Sequence, residues 1–341
     1  MDIGAHKIKI VEGRYIKTGI EITNFFSIKT PSGALEDGTI MDKDLLYYAL
    51  REGFKSKKIK TKNVFLTINS SKIITRELII PKVKYKYINN IIKYQIKYSL
   101  PINIDDYILE FKIIREFFVD NMDKLRLLII AIPKAIVEAY YQLITSLDLN
   151  PIVLDYQPNS ISKLLGHNNI VNDIFPLRQF TIASVDIGYD STKISIIKNG
   201  KILLTRTVEM AGKFIDEKVL SLGCPKEDLE KFKKNIININ YQYDGENIEE
   251  KILNIIKSSL LFIVEKIETI FRYYLTRDKN NKINIIILSG GISNISGLDS
   301  LFANIFDIPT ITISTVNNVK FTGPIVEYAN AIGSIIRTTE V

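Results

Sequence analysis

Only one cysteine, Cys224, stands in the 341 residues, so the chain cannot form a disulfide within itself. That fits a reducing compartment. Set between Leu222-Gly223 and Pro225, it reads as a small apolar residue beside a turn. Histidine is almost as scarce. His6 and His167 leave no material for a His-rich metal site or a His-dependent triad. Tryptophan is absent. Long apolar runs are missing too. The longest, LRLLIIAIP at 125–133, has the length of a strand and falls far short of the roughly 18–20 residues that cross a bilayer. Asp2, His6 and Glu12 break up any apolar leader. The expectation is a soluble protein.

Acidic residues are outnumbered, 38 Asp and Glu against 45 Lys and Arg, for a net charge of +7. A basic chain can seek nucleic acid or an anionic membrane. Here the lysines are spread out. The densest runs, KSKKIKTK at 55–62 and KVKYKY at 82–87, read as solvated surface with at most a weak pull toward anionic lipid or an acidic partner. No RNA or DNA motif accompanies them, so nucleic-acid binding is not expected. The length exceeds one ordinary core and predicts two lobes with an insertion.

Apolar periodicity lays out the elements. Strands are expected at 6–11 and 15–26, parted by a turn at Glu12-Gly13-Arg14. Asp42 can cap a helix to about Phe54, and NVFLTIN at 63–69 is a short buried strand. Residues 72–149 read as a β-α-β-β-α unit, with strands at 73–80, 107–114 and 125–132, a helix at 87–98, and a second helix opened by Pro133. A strand at 152–155 leads into Gln157-Pro158 and another helix. Residues 180–187, 193–197 and 201–208 form a meander whose last turn is Asn199-Gly200, a strong hairpin signal. A helix at 211–220 follows, then a charged, Asn-rich stretch at 226–249 read as surface helix and loop. The longest helix spans 252–275. KINIIIL at 282–288 is a buried strand that runs into Ser289-Gly290-Gly291. A helix at 298–306, a strand at 310–313 and a small-residue helix at 325–336 follow.

One pattern occurs twice. Asp2-Ile3-Gly4 is followed by four residues and Lys9-Ile10, and Asp186-Ile187-Gly188 by four residues and Lys193-Ile194. An Asp at the end of a buried strand, followed by Gly, sets a carboxylate beside bare backbone. The carboxylate suits Mg2+ through water, and a lysine on the returning strand suits phosphate. Two such hairpins face to face would clamp a polyphosphate, with each lysine reaching the same spot. The strand–Gly-Gly–helix sequence at 289–291 is a third anion-friendly element.

Hairpin, connecting Asp155-x-Gln157-Pro158 helix, second hairpin, Ser-Gly-Gly turn and Ala/Gly-rich last helix follow an order that resembles the actin-like ATPase superfamily, which includes actin, heat-shock chaperones, sugar kinases and FtsA. Within it the chain most resembles the PilM family of type IV pilus assembly. DIGAHKIKIVEG, NVFLTINSSKIITRELIIPKV, YSLPINIDDYILEFKII, LLIIAIPKAIVEAYYQLITSLDLNPIVLDYQP and LSGGISNISGLDSLFANIFDIP carry that likeness over nearly the whole chain. It implies an α/β, actin-like two-lobed fold around a nucleotide cleft, with an inserted β-α-β-β-α subdomain 1C. The division would be 1–71, 150–179 and 325–341 for the first lobe, 72–149 for the insert and 180–324 for the second lobe.

By the same resemblance, ATP or ADP with Mg2+ would be held by Asp2, Gly4 and Lys9, by Asp186, Gly188 and Thr192, and by Ser289, Gly290 and Gly291. Asp2 and Asp186 would hold Mg2+ through water. Glu265 on the long helix is a ribose candidate, and Gln157 stands where a water would be oriented. The family carries hydroxyls after the first Asp-Ile-Gly, where Ala5, His6 and Lys7 stand here. It also carries strand residues before that Asp, where only Met1 stands. The implied role is a cytoplasmic scaffold on the inner-membrane face. It would dock the N-terminal tail of a bitopic PilN-like protein, with a pilus assembly ATPase as a further partner. Ile73, Ile74, Leu78, Ile91 and Tyr94 are the expected groove lining. Second come an FtsA-like division protein, disfavoured by the lack of an amphipathic helix after Arg337, and an active actin-like ATPase. A sugar kinase would need a catalytic base among sugar-binding residues, and none is evident.

Overall fold

Two large sheets share one strand order. In the computed structural model, which describes residues 1–99, 102–166, 169–225, 229, 238–241 and 247–337, the first sheet runs Asn150–Tyr156, Asn63–Ile68, Asp2–Ile3, Lys7–Ile16, Gly19–Lys29, Val319–Lys320. The second runs Thr310–Thr312, Ile285–Ser289, Thr181–Ile187, Thr192–Lys198, Lys201–Val208. In each, an antiparallel meander has a parallel strand on the far side of its first strand, and a second parallel strand beyond that. The register repeats as well. Asp2 lies opposite Lys9, and Asp186 opposite Lys193. Gly4 N donates to Lys7 O at 3.3 Å and Gly188 N to Ser191 O at 3.2 Å, closing both turns alike. The doubled motif is therefore one hairpin turn used twice.

The turn expected at Glu12-Gly13-Arg14 is instead a bulge. The register slips between Glu12 and Gly13, while Arg14 and Tyr15 still pair with Glu21 and Ile20. An extra residue bends a strand without ending it. Most other expected elements stand close to their expected bounds, but the strand expected at 107–114 runs on to Val119 and the longest helix starts at Ile248 rather than 252. Asp42 accepts a hydrogen bond from Leu45 N at 3.0 Å and caps the helix Lys43–Lys57, a contact worth about 1 kcal/mol. Asn199 and Gly200, at φ 52° and 71°, turn the second meander.

A third sheet, ordered Ile74–Pro81, Met122–Pro133, Tyr107–Val119, carries the helix Tyr85–Ser99. That helix buries Ile88, Ile92 and Ile96 against Ile80, Leu125, Leu127 and Ile129. The next helix, Lys134–Ser146, buries Ile136, Tyr140, Leu143 and Ile144 in the core of the first sheet. The helices Gln157–Leu164 and Ile325–Ile335 pack so closely that a Cβ on Gly333 would lie 2.1 Å from Ser160 O. This contact explains the small residues of the last helix. The second core gathers around Ile263, Val264 and Ile267 of the helix Ile248–Thr276. Most of the expected 226–249 segment, and His167, lie outside the described residues. Among the described residues, no helix is long and apolar enough to cross a membrane.

Candidate functional site

The register of the two hairpins brings their turns to opposite walls of one cleft, a cavity of about 280 Å³. Asp2, Gly4 and Lys9 line it from the first sheet, and Asp186 and Gly188 from the second. Gln157 enters from the connecting helix and Gly291 from the Ser-Gly-Gly turn. The two aspartates are 3% and 8% exposed. Burial raises the pKa of Asp2; Lys9 opposes that shift, and the nearby Asp186 adds to it.

Polar contacts join the walls. Gln157 Nε2 donates to Asp2 Oδ1 at 3.4 Å and Asn330 Nδ2 to Asp186 Oδ2 at 2.5 Å. Asn69 Nδ2 donates to Ser191 Oγ at 3.2 Å, and the His6 and Tyr189 rings meet at 4.8 Å. The connecting Asp155 is fixed by Lys163 Nζ at 2.7 Å, by Asn159 Nδ2 at 2.7 Å and by Ser160 Oγ at 3.2 Å. It anchors the first turn of the helix that presents Gln157.

The other sequence-derived residues divide. Gly290, at φ +92°, tucks under Asp186, where a Cβ would meet Asp186 Oδ1 at 2.4 Å. Ser289 is buried behind it with no partner for Oγ among the described residues. Thr192 is buried too, and its hydroxyl donates to Met210 O at 2.8 Å rather than into the cleft. The second motif lysine does not reach the cleft as expected. Lys193 turns Nζ to Thr207 Oγ1 at 2.6 Å and lines an adjoining pocket with Arg206 and Glu209. Glu265 is exposed and does not line the cleft, because the inward face of its helix is taken by Ile263, Val264 and Ile267. Four of the expected groove residues sit in different surroundings. Ile73 packs against the first core, Leu78 and Ile91 against the core of the third sheet, and Tyr94 is 67% exposed.

Sequence reading missed Asp37, Asn69, Asp190, Glu327 and Asn330, all in the cleft wall. Asp37 had a faint signal as half of an Asp-Gly turn; it accepts from Ser71 N at 2.8 Å and Ser71 Oγ at 2.7 Å. Asn330 was the one amide among the small residues of the last helix, and its Oδ1 is buried without a partner among the described residues.

A family model described as type IV pilus assembly protein PilM matches residues 1–330. The chain belongs to the PilM family. A chain of a PilM-PilN type IV pilus biogenesis complex is similar over 98% of this chain and 96% of its own, at 19% identity and a TM-score of 0.81. MreB5 of Spiroplasma citri, solved bound to ADP, is similar over 92% and 79% at 14% identity and a TM-score of 0.53. The ethanolamine utilization protein EutJ from Carboxydothermus hydrogenoformans follows over 97% and 86% at 15% identity and 0.53. The fold is thus the actin-like two-domain α/β fold. In this PilM-family cleft, two buried carboxylates, an ammonium and a glycine turn can together hold a hydrated dication beside phosphate oxygens.

Proposed function

We propose that this PilM-family chain is a nucleotide-binding scaffold of type IV pilus assembly. The reading is carried by one observation: both Asp-Ile-Gly turns and the Gly-Gly turn line a single cleft. ATP or ADP with Mg2+ is the ligand that suits them. Asp2 and Asp186 hold the ion through water, Lys9 meets phosphate, and Gly4, Gly188 and Gly291 let backbone come close. Asn330 Oδ1, buried in the cleft wall and unpartnered among the described residues, is a polar group such a ligand could satisfy. Among those residues no cluster of three metal-ligating side chains exists, so water and phosphate oxygens must complete the ion's shell. Bound Mg2+ would supply charge neutralisation on the phosphates.

The scaffold docks the N-terminal tail of a PilN-like inner-membrane protein and so works on the cytoplasmic face, with a pilus assembly ATPase as a further partner. The similarity to a chain of a PilM-PilN complex supports this partner. The lobes follow the division 1–71, 150–179 and 325–341 against 180–324, with 72–149 as the insert, except that Val319–Lys320 pairs with Gly19–Lys29 and so belongs to the first lobe's sheet. Nucleotide tunes the angle between the lobes and hence partner affinity.

Calorimetry with Mg-ATP tests the reading, with Asp186→Ala as control. Binding lost in the variant, with ATP intact afterwards, supports a scaffold. ADP appearing within minutes favours an active ATPase, with Gln157 orienting water. Absence of binding refutes the nucleotide role and leaves the peptide role to a separate titration with the partner's tail.

A further inference from the structure

The helix Tyr85–Ser99 carries two stripes of identical spacing. Lysines stand at 86, 93 and 97, and tyrosines at 87, 94 and 98. Steps of seven and four return to nearly the same angle on an α-helix, so each stripe runs straight along the axis, with the two about 100° apart. The remaining side holds Ile88, Ile92 and Ile96, all within the insert's own core. The tyrosines point the other way and are 49%, 67% and 73% exposed. Tyr94 and Tyr98 meet at 4.9 Å, and Lys86 Nζ lies 5.0 Å from the Tyr87 ring centre.

Charge and shape extend the face. From Lys82 to Ile104 there are five lysines and no acidic residue. Lys82 itself is paired with Glu116 at 2.6 Å; among the described residues the three stripe lysines meet no carboxylate. The stripes span about 18 Å. Lys82 N donates to Asp123 O at 2.8 Å, which places the hairpin tip with exposed Phe118 and Met122 at the helix's N-terminal end.

We propose that this face rests on the headgroup layer of an anionic phospholipid bilayer. Tyrosine rings, apolar in body and polar at the tip, suit the depth where hydrocarbon meets water. Lysines beside them are drawn by the leaflet's negative potential. The isoleucine side is committed to the core, so the helix cannot sink among the acyl chains. The contact is peripheral and weakens with salt. It uses neither the cleft nor a partner's tail, so its failure would leave the proposed function untouched.

Flotation of the whole chain with vesicles decides the matter. We expect binding at low salt to phosphatidylcholine vesicles containing a third phosphatidylglycerol, little to pure phosphatidylcholine, and release at high salt. Lys86→Ala, Lys93→Ala and Lys97→Ala together should weaken partitioning about 100-fold, at roughly fivefold per lysine. Tyr87→Ser, Tyr94→Ser and Tyr98→Ser together should weaken it with an unchanged melting curve. If that variant misfolds, Tyr94→Ser alone decides, with a smaller loss expected. The proposal is overturned if the parent does not float with anionic vesicles, floats equally with neutral ones, or is matched by the lysine and tyrosine variants.

Discussion

The two motif lysines should answer the same substitution in opposite ways. Lys9 lines the cleft, whereas Lys193 is buried with Nζ on Thr207 Oγ1 at 2.6 Å. Burial pulls the Lys193 pKa from 10.5 down to about 8, against the opposing pull of Asp37, Asp186 and Glu209. That fall disfavours the charged form by about 3 kcal/mol. Lys193→Met keeps most of the stem and removes the charge. It also leaves the Thr207 hydroxyl without its partner, which offsets about 1 kcal/mol. The variant should therefore be more stable than the parent by about 2 kcal/mol near neutral pH.

The pH dependence has a fixed sign. Between about 8 and 10.5 the unfolded parent holds a proton that the folded parent has lost, so the parent's stability rises with pH through that window. The variant's advantage should shrink across it and end as a small deficit above it. Urea unfolding of both proteins, on either side of the window, reads this directly. Calorimetry with Mg-ATP supplies the second half: Lys9→Met should weaken binding at least about tenfold, by loss of a charge-assisted contact, while Lys193→Met leaves it unchanged. A less stable Lys193→Met at neutral pH, or a gap that does not move with pH, would refute the reasoning.

Asp155→Ala should destabilise the fold by about 3–5 kcal/mol, because Lys163 is left charged in a buried site; chemical denaturation measures it. Gly290→Ala should cost about 1–3 kcal/mol in strain at φ +92° and displace Asp186, so both the melting temperature and Mg-ATP affinity should fall. Glu77→Gln should loosen the insert from the second lobe by about 1 kcal/mol, since Glu77 Oε2 accepts from Arg277 Nη2 at 2.8 Å across 200 residues. Faster hydrogen exchange in the strand Ile74–Pro81 would report it.

The architecture was legible because its signals are local. A strand that ends in Asp-Ile-Gly and returns after four residues fixes its own register, and two copies predict two matching sheets. Asn199-Gly200, the Asp42 cap and the Ser-Gly-Gly turn read the same way. What was not legible depends on tertiary neighbours. Lys9 and Lys193 hold equivalent positions opposite a hydroxyl residue, Ser27 and Thr207, but Ser27 is engaged by Tyr328, whereas Thr207 takes the Lys193 ammonium and turns it away. The spacing of Tyr94 fits a lining residue, but Ile88, Ile92 and Ile96 claim the buried side of its helix. Glu265 fails for the same reason. Asn330 and Asn69 reach the cleft from helix and loop positions far from either motif, so no spacing announces them.

The two jaws share one hairpin but differ in their side chains, and that difference sets how they can close on a ligand. Ala5, His6 and Lys7 offer no side-chain hydroxyl in the first jaw, and Thr192 spends its hydroxyl on Met210 O in the second. Five carboxylates line the cleft, Asp2, Asp37, Asp186, Asp190 and Glu327, against two lysines, Lys7 and Lys9. Burial raises the pKa of Asp190, with Lys213 opposing and Asp37 and Glu36 adding to the rise, but the excess of acid remains. A bare polyphosphate entering such a site meets like charge. At an effective dielectric near 20, one unreduced pair about 4 Å apart repels by about 4 kcal/mol. A dication carried in with the nucleotide removes that term. Affinity for ATP should therefore fall about 1000-fold when Mg2+ is chelated, far beyond what loss of a single lysine contact would do. If calorimetry in EDTA gave an affinity within tenfold of the Mg2+ value, the aspartates would not be the ion's anchors, and the clamp would have to rest on Lys9 and backbone alone.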